Sequence, residues 1–460
     1  QNSKNIVKLN NHRRENKEET MKKNEKRKLW KQGLGTALVC GLAVAVFPAA
    51  KADAADLLKA GPINTTAEHV TQNQPFAERT AGSQYFRIPA FIVTQKGNLL
   101  AAADARYSTT GDGGGLDTIA SVSTDNGKTW NYSFPLYFPD SDGYIGNTAT
   151  TIIDPALVQG KDGEIYCIAD VNPTGVTTMG GYKAPGEGTG YVKVNGKDYL
   201  AVTDNYDNVN TQPKDDDATT YAYYVGDWDE NGYAKILKRS DHSETGYGVD
   251  KWYNLYKVEN GEYKDTLTQK QVNSNTDIQQ NIFYKGSALH VYNTGYMMYA
   301  KTYDDGFTWT DPEILNPQIK RPTKETALLV SPGQGVLTSD GTIVIPFYDH
   351  GDGEENASII WSDDNGKTWE RSNDVPGAAA GGYWSSESEV VELSDGTLRM
   401  FFRSGQGVVC YSDAVRNTSG DYVFTKPVKT GVSCTSTCNV TAINYSKTID
   451  GKQAILVAAP

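Results

Sequence analysis

The chain consists of short apolar segments separated by turn-forming residues, a pattern that predicts many short strands. Glycine (45 residues) and tyrosine (28 residues) are abundant, and Gly-Asp and Asn-Gly pairs recur between the apolar segments. Asn-Gly and Gly-Asp pairs suit the tight turns of β-hairpins. We therefore expect an all-β protein.

The alternation of apolar and charged positions is clearest over residues 387–403. This segment is predicted to form a strand, an Asp-Gly turn and a second strand. Successive side chains of a strand point to opposite faces. Glu387 and Glu389 are therefore expected on one face, with Glu392 on the other.

An eight-residue pattern, Ser/Thr-x-Asp-x-Gly-x-Thr-Trp, occurs three times, at Ser123–Trp130, Thr302–Trp309 and Ser362–Trp369. In each copy the Asp can accept backbone N–H groups across a turn, the Gly supplies a positive φ and the Trp packs beneath the hairpin. A degenerate fourth copy is predicted to begin at Tyr411. Copies two and three start 60 residues apart (302 to 362), about one four-stranded propeller blade.

These repeats resemble the Asp boxes of the sialidase family. The resemblance implies a six-bladed β-propeller, which we expect to be incomplete at its C-terminus. Copies one and two start 179 residues apart (123 to 302), far more than one blade needs. Residues 175–280 are therefore predicted to form a small inserted β subdomain within the propeller of residues 53–460.

Charge is distributed unevenly along the chain. The first 52 residues hold 12 of the 44 Lys and Arg but 4 of the 56 Asp and Glu, so residues 53–460 carry 32 basic and 52 acidic side chains. An acidic body argues against nucleic-acid binding. Histidines and cysteines lack metal-ligand spacing, so neither a metal nor another cofactor is predicted.

The N-terminal segment has the three-part pattern of a signal peptide. Met21 is followed by a basic stretch, an apolar run over residues 33–47 and the small-residue pattern at 50–52. Residues 21–52 are predicted to be removed on export, leaving no membrane span, and residues 1–20 are interpreted as an upstream non-native segment. We expect a secreted protein, or one attached to the cell surface through a missing C-terminal region.

The segment Tyr85–Pro89 matches the Phe-Arg-Ile-Pro motif of sialidases. The resemblance implies that Arg87 is one of three arginines that bind the sialic acid carboxylate. Arg403 is implied as the second, because it follows Glu387 by sixteen residues as in the family. Arginine suits this role because its planar fork binds a carboxylate through two parallel hydrogen bonds.

The resemblance also assigns the remaining site residues. Arg106 would lie beside the 4-hydroxyl pocket, and Asp112, six residues further, would protonate the leaving oxygen. Asp117 is the rival acid. Asp154 would bind near the N-acetyl and 4-hydroxyl groups.

Sialidases use a tyrosine nucleophile in place of the usual carboxylate. The resemblance implies that Glu387 takes the proton of that tyrosine, with Glu389 as the competing candidate. The third arginine and the tyrosine are not found in the expected context after Arg403. We therefore expect both to lie beyond residue 460 in a truncated reading frame, and the fragment itself to be inactive.

The predicted function is that of an exo-α-sialidase acting on terminal sialic acids of glycoproteins, glycolipids and oligosaccharides. Its partners would be sialylated glycans, and its oligomeric state stays open. Intramolecular trans-sialidase activity of the same family is the first alternative. A non-catalytic Asp-box propeller that binds glycans or proteins is the second, although it would not explain why so many site residues keep the family spacing.

Overall fold

The structure, a computed structural model, describes residues 70–140, 149–271, 275–351, 353–435 and 438–460. The predicted upstream segment 1–20 and signal peptide 21–52 lie outside these residues. None of the helices in the described part of the chain is long and apolar enough to cross a membrane.

The first blade is an antiparallel sheet in which four strands follow one another in sequence, with one further strand at its outer edge. Its strands are β1 (Val70–Gln72), β2 (Tyr85–Val93), β3 (Leu99–Arg106), β4 (Leu116–Ser123) and β5 (Thr129–Leu136).

The second blade begins with β6 (Thr151–Gln159) and β7 (Ile165–Asn172), and the chain then leaves the blade. Seven strands form a separate antiparallel sheet, and a two-stranded sheet follows. These strands are β8 (Tyr191–Val194), β9 (Lys197–Val202), β10 (Tyr223–Trp228), β11 (Tyr233–Lys238), β12 (Glu244–Asp250), β13 (Leu255–Glu259), β14 (Glu262–Lys264), β15 (Thr268–Lys270) and β16 (Asp277–Gln279).

The chain returns to the second blade with β17 (Tyr296–Thr302) and β18 (Glu313–Ile314), and β17 pairs with β7 along seven residues. The excursion therefore spans residues 173–295, which is longer than the predicted 175–280. It separates the second and third strands of one blade, and its inner side chains share a hydrophobic cluster with those of the blade.

The third and fourth blades follow without long excursions. The third contains the short helix α1 (Asn316–Ile319) and the strands β19 (Glu325–Val330), β21 (Val336–Leu337), β22 (Ile343–Gly351), β23 (Glu354–Ser362) and β24 (Glu370–Arg371). Strand β20 (Gly333–Gln334) lies between β19 and β21 in the chain but pairs with β6 of the second blade. The fourth contains β25 (Ser388–Glu392), β26 (Leu398–Phe402), β27 (Val408–Arg416), β28 (Tyr422–Phe424) and β29 (Val428–Ser433). The hairpin of β30 (Thr441–Ile449) and β31 (Lys452–Ala458) forms a last sheet.

The four blades and the last hairpin each contribute residues of one strand to the same cleft. These strands are β2, β6, β19, β25 and β30. Radial sheets whose first strands surround one axis define a β-propeller. The predicted all-β propeller is thereby confirmed. Besides the insertion, the described residues contain four blades and one two-stranded sheet of the six blades expected; each blade has four main strands, and the first, third and fourth each have one additional strand.

The three Asp boxes connect the third and fourth strands of the first three blades. In the first, the Oδ1 atom of Asp125 accepts the N–H groups of Lys128 (3.0 Å) and Thr129 (2.9 Å), and Oδ2 accepts the hydroxyl of Thr129 (2.7 Å). Asn126 and Gly127 both have positive φ, as a tight hairpin turn requires. These hydrogen bonds lower the pKa of Asp125 to about 2.

The predicted fourth copy is misplaced. Residues 411–413 lie inside β27, and the turn that corresponds to the other boxes comes after Arg416. Here Oδ1 of Asn417 accepts the N–H groups of Ser419 (2.8 Å) and Asp421 (3.0 Å), so an asparagine closes the turn where the other boxes use an aspartate. The Arg416 guanidinium also reaches Asp363 in the third blade's box. The sequence match missed the turn because it has Asn417 in place of the aspartate and no Trp after its glycine.

The indole of Trp309 ties the second Asp box to the first blade. Its Nε1 donates to the Ser133 hydroxyl (2.8 Å), which donates to the carbonyl of Gly306 (2.7 Å), and all three groups are buried. Trp369 occupies the same position in the third box, but its buried Nε1 has no partner among the described residues.

We expect Trp309→Phe to destabilise the protein by about 1–3 kcal/mol, because it leaves the buried Ser133 hydroxyl without its donor. Trp369→Phe, the matched control, removes a donor that is already unsatisfied and should cost less. Chemical denaturation of both variants measures the difference. Equal losses would show that ring packing alone stabilises these boxes.

Candidate active site

A cleft of about 760 Å³ opens at the centre of the propeller. It is lined by five of the six predicted site residues, and also by the competing carboxylate Glu389. The five are Arg87, Asp112, Asp154, Glu387 and Arg403. The sequence-predicted residues are therefore brought together from the first, second and fourth blades.

Arg87 reaches the cleft from a distorted part of β2. The pairing of β2 with β3 shifts register between Arg87 and Ala90, and Ile88, which precedes a proline, has φ 56°. A β-branched residue with positive φ is strained, and such strain concentrates at functional sites. The Arg87 side chain is 41% exposed, and its Nη1 donates to the Asp112 carboxylate at 2.8 Å.

Arg106 does not line the cleft, in contrast to its predicted role beside a substrate hydroxyl. Its side chain is fully buried behind Asp112. Nη1 donates to Oδ1 of Asp112 (2.5 Å) and to the carbonyls of Thr110 (2.8 Å) and Gly111 (2.7 Å). The same carboxylate oxygen thus receives both Arg87 and Arg106, and the loop that carries Asp112 is closed onto Arg106.

Asp117, the rival acid, lies elsewhere. It is buried in β4, where it accepts the Tyr107 hydroxyl (2.8 Å) and the N–H of Phe138 (2.9 Å), and it is not among the residues that line the cleft. The geometry favours Asp112 as the carboxyl group that can reach a bound molecule.

The base of the insertion supports the Asp112 loop. The hydroxyl of Thr177 donates to the carbonyl of Asp112 (3.2 Å), and the ring of Tyr182 packs on Gly113 so closely that a Cβ there would lie 2.7 Å from it. Thr177, Thr178 and Met179 also line the cleft. The insertion therefore contributes a wall of the site.

Asp154 lies in a second distortion of the same kind. It precedes Pro155, has φ 63°, and marks a register shift between β6 and β7. Its N–H donates to the buried carboxylate of Asp104 at 2.9 Å. Burial, reinforced by the negative charges of Asp104 and Glu387, raises the pKa of Asp154 well above its ordinary value.

Glu387 and Arg403 are direct cross-strand neighbours. The register of β25 and β26 pairs Ser388 with Phe402, and the ladder continues as the N–H of Arg403 donates to the carbonyl of Glu387 (2.8 Å). Nη1 of Arg403 donates to Oε2 of Glu387 at 2.9 Å. The sixteen-residue spacing thus corresponds to an ion pair at the cleft, with Trp384 lying 5.9 Å from the guanidinium.

Glu389 shares the face of Glu387, as predicted, but has a different environment. It is 2% exposed, and Oε1 accepts only a long bond from the N–H of Gln334 (3.4 Å). Oε2 has no partner among the described residues. Burial raises the pKa of Glu389 to about 8, so this carboxyl group is mostly protonated at neutral pH. Glu387, in contrast, forms an ion pair with Arg403.

Several lining residues were not found by sequence reasoning. Tyr348, His350 and Glu355 come from the third blade, and Nε2 of His350 lies 3.1 Å from Glu355. They belong to no motif, and only their position at the β22–β23 hairpin next to the cleft identifies them. Asp104 and Asp170 were also missed, because both lie inside apolar strands beneath the cleft.

An Asp-box propeller whose axial cleft presents two arginines, an arginine-held aspartate and an arginine-paired glutamate is a sialidase-type propeller. Residues 88–460 match the family model described as a BNR repeat-like domain. The chain belongs to this family, and its similarities place it among the sialidases.

Two curated relatives illustrate the similarity. The anhydrosialidase of Macrobdella decora is 30% identical over 88% of this chain and 53% of its own length. Sialidase B of Streptococcus pneumoniae is 29% identical over 82% of this chain and 54% of its own length. The chain thus spans about half the length of these curated relatives.

Solved structures agree with the fold. The intramolecular trans-sialidase from Ruminococcus gnavus, in complex with oseltamivir carboxylate, superposes with a TM-score of 0.69 at 30% identity, covering 83% of this chain and 78% of that one. The leech intramolecular trans-sialidase complexed with 2,7-anhydro-Neu5Ac gives a TM-score of 0.70 at 27% identity, covering 84% of this chain and 57% of that one.

Proposed function

We propose that this protein binds terminal sialic acids of glycans and, as an exo-α-sialidase, cleaves the bond that joins them to the next sugar. The observation that carries the proposal is the convergence of Arg87, Asp112, Glu387 and Arg403 on one cleft. The signal-peptide pattern at residues 21–52 supports the further proposal that the protein acts outside the cell.

Arg87 and Arg403 would bind the carboxylate of the sugar. Both side chains are partly exposed, at 41% and 30%, and each is held from one side by a carboxylate, Asp112 or Glu387. A guanidinium has five N–H donors. When one nitrogen donates to Asp112 or Glu387, the remaining N–H groups can still form two parallel hydrogen bonds to the substrate carboxylate. The two guanidinium groups would thus neutralise the charge of the substrate carboxylate.

Asp112 would protonate the leaving oxygen and later deprotonate water. Glu387 would accept the proton of a tyrosine nucleophile, the residue type that sialidases use. Glu387 reaches the cleft as the partner of Arg403, whereas burial raises the pKa of Glu389 to about 8, so that Glu389 carries a proton near neutral pH and is unsuited to that role. Among the described tyrosines, none hydrogen-bonds Glu387.

The test is incubation of the complete enzyme, with its tyrosine nucleophile present, with 3′-sialyllactose and detection of released lactose. Release of lactose that is lost in Glu387→Gln supports the proposal. If the protein neither cleaves sialyllactose nor binds sialic acid, the result would contradict this proposal and favour the other class predicted from the sequence, a non-catalytic propeller that binds other glycans or proteins.

Intramolecular trans-sialidase activity is the second candidate. Its support is that both solved structures described above carry this activity in their names. Reaction in ¹⁸O-labelled water separates the two outcomes, because hydrolysis adds one solvent oxygen to the sugar while an intramolecular product contains none and is lighter by one water molecule.

In the complete enzyme, Arg87→Lys should lower kcat/KM for sialyllactose by an amount equivalent to about 2–4 kcal/mol. The variant keeps the charge but loses the two-pronged geometry. Arg399→Lys is the matched control, because Arg399 forms a two-pronged pair with Asp413 away from the cleft. Unchanged kcat/KM in Arg87→Lys would mean that Arg87 has only a structural role.

A further inference from the structure

The buried Arg106 guanidinium lies between two carboxylates rather than beside one. Its Nη2 and Nε donate to Oδ2 of Asp104, at 2.6 and 3.2 Å, while Nη1 donates to Oδ1 of Asp112 at 2.5 Å. Asp104 and Arg106 are both fully buried, whereas Asp112 is 30% exposed and reaches the cleft. The arginine thus connects a hidden carboxylate with the candidate acid.

Asp104 is held on both sides. Oδ2 receives Arg106, and Oδ1 receives the N–H of Asp154 at 2.9 Å. Burial raises the pKa of Asp104 to about 6, although the charge and hydrogen bonds of Arg106 oppose the rise. A buried ion pair of this geometry is costly to break from one side, because the remaining charge is left without a partner.

Because Arg106 is shared, its charge at Asp112 is partly balanced by Asp104. Asp112 contacts two cations, Arg87 and Arg106, and a nearby positive charge favours the ionised form of a carboxyl group. A general acid must carry its proton when the substrate is bound. Asp104 offsets the charge of Arg106 from the far side, so Asp112 does not face two uncompensated cations.

We propose that Asp104 is a positioning residue for the general acid: it orients Arg106 beneath Asp112 and balances its charge, so that Asp112 remains able to donate a proton to the leaving group. This inference rests on the proposed function. It extends that function to a residue that no substrate touches.

Other charged groups face this cluster from every neighbouring element. Asp154 lies on β6, Asp170 on β7 and Glu387 just before β25, and the ring of Tyr348 on β22 lies against the same acidic region. All of these groups are acidic. Within the described residues, only Asp104 and Asp112 form ion pairs with Arg106.

The test is Asp104→Asn, which preserves size and removes the charge. In the complete enzyme, the alkaline side of the pH profile of kcat/KM on sialyllactose should move to lower pH by about one to two units, the effect of one charge a few ångströms away in a protein environment. Asp349→Asn is the matched control. Asp349 is a buried aspartate paired with Arg371 in the third blade, so its loss should cost stability without moving the profile.

A second readout does not depend on turnover. The pH midpoint of the ¹³C signal of the Asp112 carboxyl, assigned by its loss in Asp112→Asn, should fall by a similar amount in Asp104→Asn. Asp104→Ser, which leaves room for water beside Arg106, should shift the midpoint in the same direction and serves if the Asn variant does not fold. An unchanged midpoint in the folded neutral variant would overturn the proposal, while failure of cleavage with a shifted midpoint would count only against the proposed function.

Discussion

In the complete enzyme, replacement of Asp112 by alanine should slow the cleavage of sialyllactose by about 10²–10⁴-fold, the usual contribution of a general acid. A sugar alcohol is a poor leaving group and needs a proton, whereas an aryl oxide departs almost unaided. The same variant should therefore lose far less activity on an activated aryl sialoside. Steady-state kinetics on the two substrates measure the difference.

Asp117→Ala is the control for this experiment. Asp117 is buried and holds Tyr107 and Phe138, so its loss should affect both substrates alike through stability. Equal losses on both substrates in Asp112→Ala would rule out the acid role. A leaving-group-dependent loss in Asp117→Ala would instead move the assignment to that residue.

Replacement of Glu389 by glutamine should make the free energy of unfolding much less dependent on pH. The folded-state pKa of Glu389, about 8, is above its ordinary value of 4.5. The stability linked to this group is therefore fully present below pH 4.5 and is lost as the pH rises through 8. The shift corresponds to up to about 5 kcal/mol, which the wild type should lose between pH 5 and 9 and the variant should not.

Urea denaturation at pH 5, 7 and 9 measures this dependence. Glu392→Gln is the control on the same strand, because it makes the same substitution at a carboxylate that lies near the surface and accepts the Ser339 N–H and hydroxyl. Parallel curves for wild type and Glu389→Gln would show that Glu389 is ionised in the folded protein at neutral pH.

Local repeats were enough to predict the architecture, because each Asp box closes a hairpin through contacts within its own eight residues. Asp125 and its hydrogen-bond partners are at most four residues apart, so the sequence contains the whole motif. The fourth turn escaped recognition because its closing residue is Asn417 rather than an aspartate, although Asn417 accepts the N–H groups of Ser419 and Asp421 in the same local way.

The membership of the site was predictable where spacing determines which residues are neighbours. Glu387 and Arg403 pair across a tight hairpin, so their separation fixes their contact. Burial was not predictable in the same way. Arg106 and Glu389 both occupy positions that the pattern allows to face a ligand. The loop that carries Asp112 closes over Arg106, however, and Glu389 is buried with only a long hydrogen bond from Gln334. Asp104 and Asp170 resemble ordinary interruptions of apolar strands until the neighbouring strands are known.

The place of the insertion has a consequence for the order in which the chain folds during synthesis. Residues 173–295 must be translated before β17 can pair with β7, which at about 5–20 residues per second takes roughly 6–25 seconds. The first blade has all its strands once residue 136 has been made. When the insertion begins at residue 173, the second blade has only β6 and β7. Throughout that interval one side of β7, whose eight residues are all buried in the finished protein, lacks its partner strand. An unpaired apolar edge is prone to join other chains, so the nascent protein has a defined period of exposure to aggregation, which ends only when the insertion has been made.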